Sequence, residues 1–175
     1  MKLIFLLLIT TNVFAAPIPF TSTSALTSRN DGAYRSSYGF SLHSSVNGWK
    51  QVPPPNKNDY IVAMYESRDQ VSNPSALTVR VDEMKSPSTL EDYSKKWLKD
   101  YPRFGFDVLT AKKVRVGENV GYLIDLLSRE NKKQLRQLLF VKGKKAVTLT
   151  CRGDQDKFKS TIRDCNEIIR TFRWN

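Results

Sequence analysis

Leu77, Val79 and Val81 alternate with Thr78 and Arg80 along ALTVRV, residues 76–81. A period of two places the three apolar side chains on one face, so the stretch predicts a strand with one wet side. Tyr38-Gly39-Phe40-Ser41-Leu42 alternates in the same way, and YIVAMY at 60–65 predicts a further strand. Phe106–Val116 and Val120–Leu127 read as two strands about Gly117-Glu118-Asn119. Gln134–Val141 and Lys145–Cys151 read as a second hairpin about Lys142-Gly143-Lys144. In Tyr122-Leu123-Ile124 and in LLFV at 138–141 both pleat faces are apolar. Strands of that kind lie in the middle of a sheet with both faces covered.

The period changes twice. Ser88-Thr89-Leu90-Glu91 has the form of a capping box, with Ser88 as the cap and Pro87 just before it. Leu90, Tyr93, Trp97, Leu98 and Tyr101 then follow on one helical face, Lys95, Lys96 and Lys99 on the other, and Pro102 stops the helix. A second helix is predicted from about Gln155 to Phe172, capped by Asp154, with Phe158, Ile162, Cys165, Ile169 and Phe172 sharing a face. Asn47-Gly48 is a turn signal before Trp49, and Pro53-Pro54-Pro55 with 56–59 predicts a stiff loop. The expected fold is α+β: an antiparallel sheet flanked by helices, an α/β/α sandwich, in a single domain over residues 38–175.

The N-terminal part changes the picture of where this domain acts. MKLIFLLLITTNVFA has a positive Lys2, an apolar run from Leu3 to Ile9, and Val13-Phe14-Ala15 with small residues in the cleavage positions. That order is a signal peptide over 1–15, with Ala16 the first mature residue. The apolar run is far short of the roughly 20 residues that span a bilayer. Residues 16–37 are rich in Ser, Thr and Pro without a sustained period, and read as a flexible segment. The expected location is exported, periplasmic or extracellular, with no transmembrane span after cleavage.

Cleavage removes one of 28 basic residues and none of the 17 acidic ones, leaving a net charge of +10. Such a surface either keeps a soluble protein dispersed or attracts an anionic partner. The basic residues concentrate in the second hairpin, 129–152. Lys132, Lys133, Arg136, Lys142, Lys144 and Lys145 are the candidate anion-binding set, which strand alternation and the turn would leave in water near one another. Their alternative role is to guard a sheet edge. Trp49, Tyr60 and Tyr65 are stacking platforms on paper, with core packing the expected role.

The chain has two cysteines. Cys151 shares the apolar side of its strand with Val147 and Leu149, and Cys165 lies on the apolar side of the following helix. With a tight turn at Gly153 between them, an exported chain is expected to join the two as a disulfide. Two buried thiols are the alternative, and no Cys-x-x-Cys spacing suggests redox chemistry.

One histidine, His43, builds neither a His-cluster metal site nor, without a nucleophile elbow, a recognisable triad. No Walker loop or dinucleotide fingerprint occurs. Asp82-Glu83, Glu91-Asp92 and Asp154/Asp156 are acid pairs better explained as strand ends, a helical first turn and a cap. No catalytic residue, cofactor or metal ion is expected.

The strand Tyr38-Gly39-Phe40-Ser41 followed by Gly48-Trp49 resembles the opening of PsbP-like domains. The strand Val147–Cys151, the helix Phe158–Ile169 and the closing Thr171-Phe172-Arg173-Trp174 resemble their end, so that the likeness covers residues 38–174. The superfamily is also named for the Mog-type Ran-binding protein and the envelope protein DcrB. Many members carry Pro before the Gly-Trp, where this chain has Val46-Asn47. The resemblance implies an antiparallel sheet between helical layers and a binding or assembly role, and it carries over no ligand residue. The expectation is an exported, non-catalytic envelope module. Its partner would be an envelope protein or an anionic surface rather than a nucleic acid, and the chain is expected to be a monomer. A polyanion- or membrane-binding protein acting through the hairpin is the alternative, and an uncharacterised hydrolase the third reading.

Overall fold

A computed structural model describes residues 33–43, 48–55, 60–67 and 75–175. The expected signal peptide, residues 16–32, Val46-Asn47 and positions 56–59 lie outside the described residues.

The elements run β1 (Ala33–Ser36), β2 (Phe40–His43), β3 (Trp49–Val52), β4 (Ile61–Ser67), β5 (Ala76–Glu83), α1 (Leu90–Asp100), a 3-10 turn (Tyr101–Phe104), β6 (Phe106–Val116), β7 (Asn119–Ser128), β8 (Lys133–Lys142), β9 (Lys145–Asp154), α2 (Phe158–Arg170) and β10 (Arg173–Trp174). Seven strands form an antiparallel sheet in the order β3-β4-β5-β9-β8-β7-β6, and β1-β2-β10 form a small second sheet. Helix α1 carries the chain from β5 to the far edge. The meander β6-β7-β8-β9 then returns it, so that Leu77, Val79 and Val81 stand opposite Cys151, Leu149 and Val147.

The apolar runs of the central strands divide between two cores. Leu138 and Phe140 of β8 join Leu77, Val79, Val147 and Leu149 beneath Cys165, Ile168, Ile169 and Phe172. Leu139, between them in β8, joins Ile124, Leu126 and Ala146 beneath Tyr93 and Tyr101. Side chains alternate along a strand, so one helix lies on each face. The helices have 11 and 13 residues, about 17 and 20 Å of length. Seven strands span roughly 30 Å. Neither helix layer covers the sheet, and the fold is a sheet-dominated α+β structure rather than the full sandwich expected.

Phe172 links the two sheets. Its ring lies parallel to Phe140 at 4.1 Å and within 5.7 Å of Phe40, with Trp174 edge-on at 5.3 Å. Pairing of Trp174 with Phe40 then closes the C-terminal strand onto β2.

Several local expectations are corrected. Ala33–Ser36, assigned to the flexible segment, pair with Phe40–His43 as β1. β3 was not predicted. Lys50 and Gln51 are exposed there, and pairing with β4 rather than apolar pattern makes the strand. The cap of α1 is Thr89 instead of Ser88, with its hydroxyl accepting from the Asp92 amide at 3.1 Å. Pro102 does not end the chain's helical path at once, since the 3-10 turn runs through it to Gly105 at φ 81°. Strand β9 continues to Asp154, so α2 starts at Phe158, and Lys157 stands in the cap position without a side-chain bond. Gly153 lies in that strand, not in a turn. A Cβ there would meet the Thr161 hydroxyl at 2.9 Å, and Thr161 Oγ1 hydrogen-bonds Ser75 Oγ at 2.8 Å across the strand.

Candidate functional site

The two cysteines are bonded, with Cα atoms 6.2 Å apart. Both are fully buried, and their bond ties the middle of α2 to β9. In the sheet, Cys151 stands opposite Arg136 of β8. In the helix, Cys165 precedes Asn166. The disulfide therefore ties the strand beside Arg136 to the helical turn that carries Asn166, and both residues line a cavity of about 400 Å³ between α2 and the β6–β8 face.

The cavity has an apolar floor and a cationic margin. Val114, Val116, Leu123, Leu138 and Ile169 supply the apolar part, and Arg136, Asn166 and Arg170 the polar part. Arg115 borders it between the two valines, and alternation turns its side chain to the other face. No carboxylate is among the lining residues. Asp125 stands on the β7 position opposite Arg136. Its two oxygens accept from Arg136 Nε at 2.7 Å and Nη2 at 2.8 Å, a bidentate pair with both side chains mostly buried. Such a fork fixes the guanidinium plane and offsets part of its desolvation. Arg170 is exposed in the last turn of α2, where a cation is favoured by the helix dipole.

The six candidate hairpin cations fall into two groups. Lys132 and Lys133 lie at one end of β8, with the Lys133 ammonium paired to Asp154. Lys142, Lys144 and Lys145 lie at the other end, about 30 Å away along the strand. Arg136 sits between them, bound to Asp125. The expectation that the six lie together is therefore not met. At the turn end, Lys142 Nζ stands 5.7 Å from the Trp174 ring, while Lys145 Nζ donates to the Tyr38 carbonyl at 3.1 Å. Arg129, also in the basic cluster, is bonded to Asp107 at 2.6 Å.

The paired acids serve structural bonds. Asp82 accepts from Arg80 at 2.8 Å and from the Tyr93 hydroxyl. The Arg80 guanidinium lies over Trp97 at 5.1 Å and Tyr60 at 5.3 Å. Glu91 pairs with Lys113 of β6, which holds its carboxyl below the ordinary range. Lys133 does the same to Asp154. Burial, and then the Asp82 carboxylate, push Tyr93 up to about 12. Tyr101 and Tyr65 are raised further, also by burial first. Trp49 and Tyr65 are buried as expected, whereas Tyr60 is 59% exposed. Among the described residues, the buried Tyr65 hydroxyl has no hydrogen-bond partner. His43 is exposed at the end of β2, and its backbone N–H donates to Thr171 Oγ1 at 2.8 Å.

No family model and no curated protein matches the chain. Solved structures do. A cyanobacterial PsbP, from Synechocystis, is 14% identical with a TM-score of 0.58 over 82% of this chain and 91% of its own. A Pseudomonas aeruginosa protein of unknown function, described as a putative regulator, is 12% identical at 0.56 over 79% and 93%. LpqN of Mycobacterium tuberculosis, described as involved in cell envelope biogenesis, is 11% identical at 0.58 over 77% and 83%. The chain has a PsbP-like fold.

Proposed function

We propose that this PsbP-like chain is an exported, non-catalytic binding module of the cell envelope, and that the groove beside α2 is its ligand site. The observation that carries the reading is the placement of the disulfide. It pins the helix that walls the groove to the strand beside Arg136, so the site is shaped before a ligand arrives. A bond of this type belongs to an oxidising compartment, in agreement with the signal-peptide pattern. Among the described residues no helix is long and apolar enough to cross a membrane. The envelope role described for LpqN is further support.

Two measurements test this. Protein recovered from its native cell should begin at Ala16 and show no free thiol when denatured without reductant. A retained Met1 or two reactive thiols would overturn export. The recovered protein should also carry or capture an envelope component, and Val116→Trp, which fills the groove from the edge strand, should prevent it. Undiminished capture by that variant would move the site elsewhere.

A second reading places an anionic surface against the turn of the β8–β9 hairpin. Lys142 lies there by Trp174 and Lys145 by Tyr38, with Lys144 in the turn between them. Each cation near an anionic membrane contributes about 1 kcal/mol. Replacing all three by Gln should then abolish salt-sensitive binding to phosphatidylglycerol vesicles while leaving the groove unaffected.

A further inference from the structure

We propose that the groove takes a single-chain amphiphile with an anionic oxygen head, the head meeting Arg170 and Arg136 and the chain lying on the valine–leucine floor. The inference rests on reading the groove as a ligand site and adds the class of ligand. Three observations define that class.

The first is size. About 400 Å³ lies near the lower end of small-molecule sites, enough for one chain and too little for a folded partner's side-chain cluster or a broad lipid. The second is the lining. Five aliphatic side chains, Val114, Val116, Leu123, Leu138 and Ile169, form a surface that rewards an apolar body and offers it no hydrogen bonds. The third is the sign of the polar margin. Arg170 carries a positive charge that no ion pair balances among the described residues, Arg136 presents a guanidinium whose charge Asp125 offsets, Asn166 adds an amide, and no acid is among the lining residues. Arg136 spends Nε and Nη2 on Asp125, which leaves Nη1 for a ligand oxygen in a plane that the ion pair already sets. Arg170 has the complementary character. Its guanidinium makes no intramolecular ion pair among the described residues, and it stands at the mouth, on the helix that the disulfide holds. A cationic ligand would meet two guanidinium groups. A neutral chain would bury apolar area but leave Arg170 without a partner.

Carboxylates and phosphate monoesters share this chemistry, and direct titration separates them. The purified protein is titrated below the critical micelle concentration with decanoate, decyl phosphate, decanol and decyltrimethylammonium, followed by calorimetry. The expected result is saturable one-to-one binding of an anionic probe, at least about tenfold tighter than decanol, with the tighter anion naming the head group. Arg170→Gln should cancel that advantage and leave decanol unchanged, because no intramolecular bond of the Arg170 side chain is lost. Val116→Trp should remove binding of every probe, with circular dichroism confirming the fold. Arg136→Gln is a poor probe here, since it would strand the Asp125 carboxylate. Equal affinity for decanoate, decyl phosphate and decanol, or tighter binding of the ammonium, would overturn the anionic head while leaving the groove as a site. Failure of all four probes, together with undiminished capture of an envelope component by Val116→Trp, would overturn the groove itself.

Discussion

Asp125 and Arg136 face each other across β7 and β8 with only 11% and 23% of their side chains exposed. Each is tolerable there because the other is present. Arg136→Gln removes the cation and leaves a carboxylate with little water, which should cost about 3 kcal/mol in urea unfolding. Adding Asp125→Asn should recover most of that loss. If the single and double variants unfold alike, the pair is not carrying the local charge balance. The buried phenols make a second prediction at this scale. Tyr93 prefers its neutral form in the folded state up to about pH 12, whereas an unfolded tyrosine ionises near 10. A raised acid pKa contributes stability that is complete below the unfolded value and lost as pH rises through the folded one. Unfolding free energy should therefore hold to about pH 10 and then fall. Phenolate absorbance should show a late-titrating fraction that appears with loss of structure, and Tyr93→Phe should lessen the slope.

At the level of elements, the sequence pattern was most informative where burial is two-sided or strictly alternating. The apolar sets of β5, β7, β8 and β9 were legible because each residue's face is set by a period of two. β1 and β3 were not, because four-residue strands with exposed Arg35, Lys50 and Gln51 owe their form to a neighbour's backbone. The α1 cap was misplaced by one position for a simpler reason. Ser88–Glu91 and Thr89–Asp92 offer the same hydroxyl-to-acid spacing, and only the backbone decides between them. Thr89→Ala should cost about 1 kcal/mol, with Ser88→Ala nearly silent. The cysteine pairing was legible, since alternation placed Cys151 and helical spacing placed Cys165. Its removal, as Cys151→Ala with Cys165→Ala, should cost about 3 kcal/mol in the chain-entropy account, with faster amide exchange concentrated in α2. The groove was not legible. Its walls come from 114–117, 123, 136, 138, 166, 169 and 170, and only the tertiary fold brings these together.

Across the whole molecule, the small sheet joins the beginning and end of the described chain. Ser41 Oγ donates to Asn175 Oδ1 across 134 residues, and Trp174 packs on Phe40 and Phe172. Deleting 173–175 should release β2 selectively, read as lost exchange protection at Phe40–His43 while the β8–β9 amides stay protected. An equally protected β2 in the shortened chain would mean that β1 suffices to hold it. The arrangement also sets an order of events in time. A chain released amino end first exposes β1 and β2 long before their third strand exists, and contacts of such separation form slowly even in a free chain. The ring of Phe40 must then wait for Phe172 and Trp174, which pack against it. β10 thus acts as a completion signal for the small sheet, whose maturation is timed by the synthesis of Arg173–Trp174 rather than by the chain that precedes them.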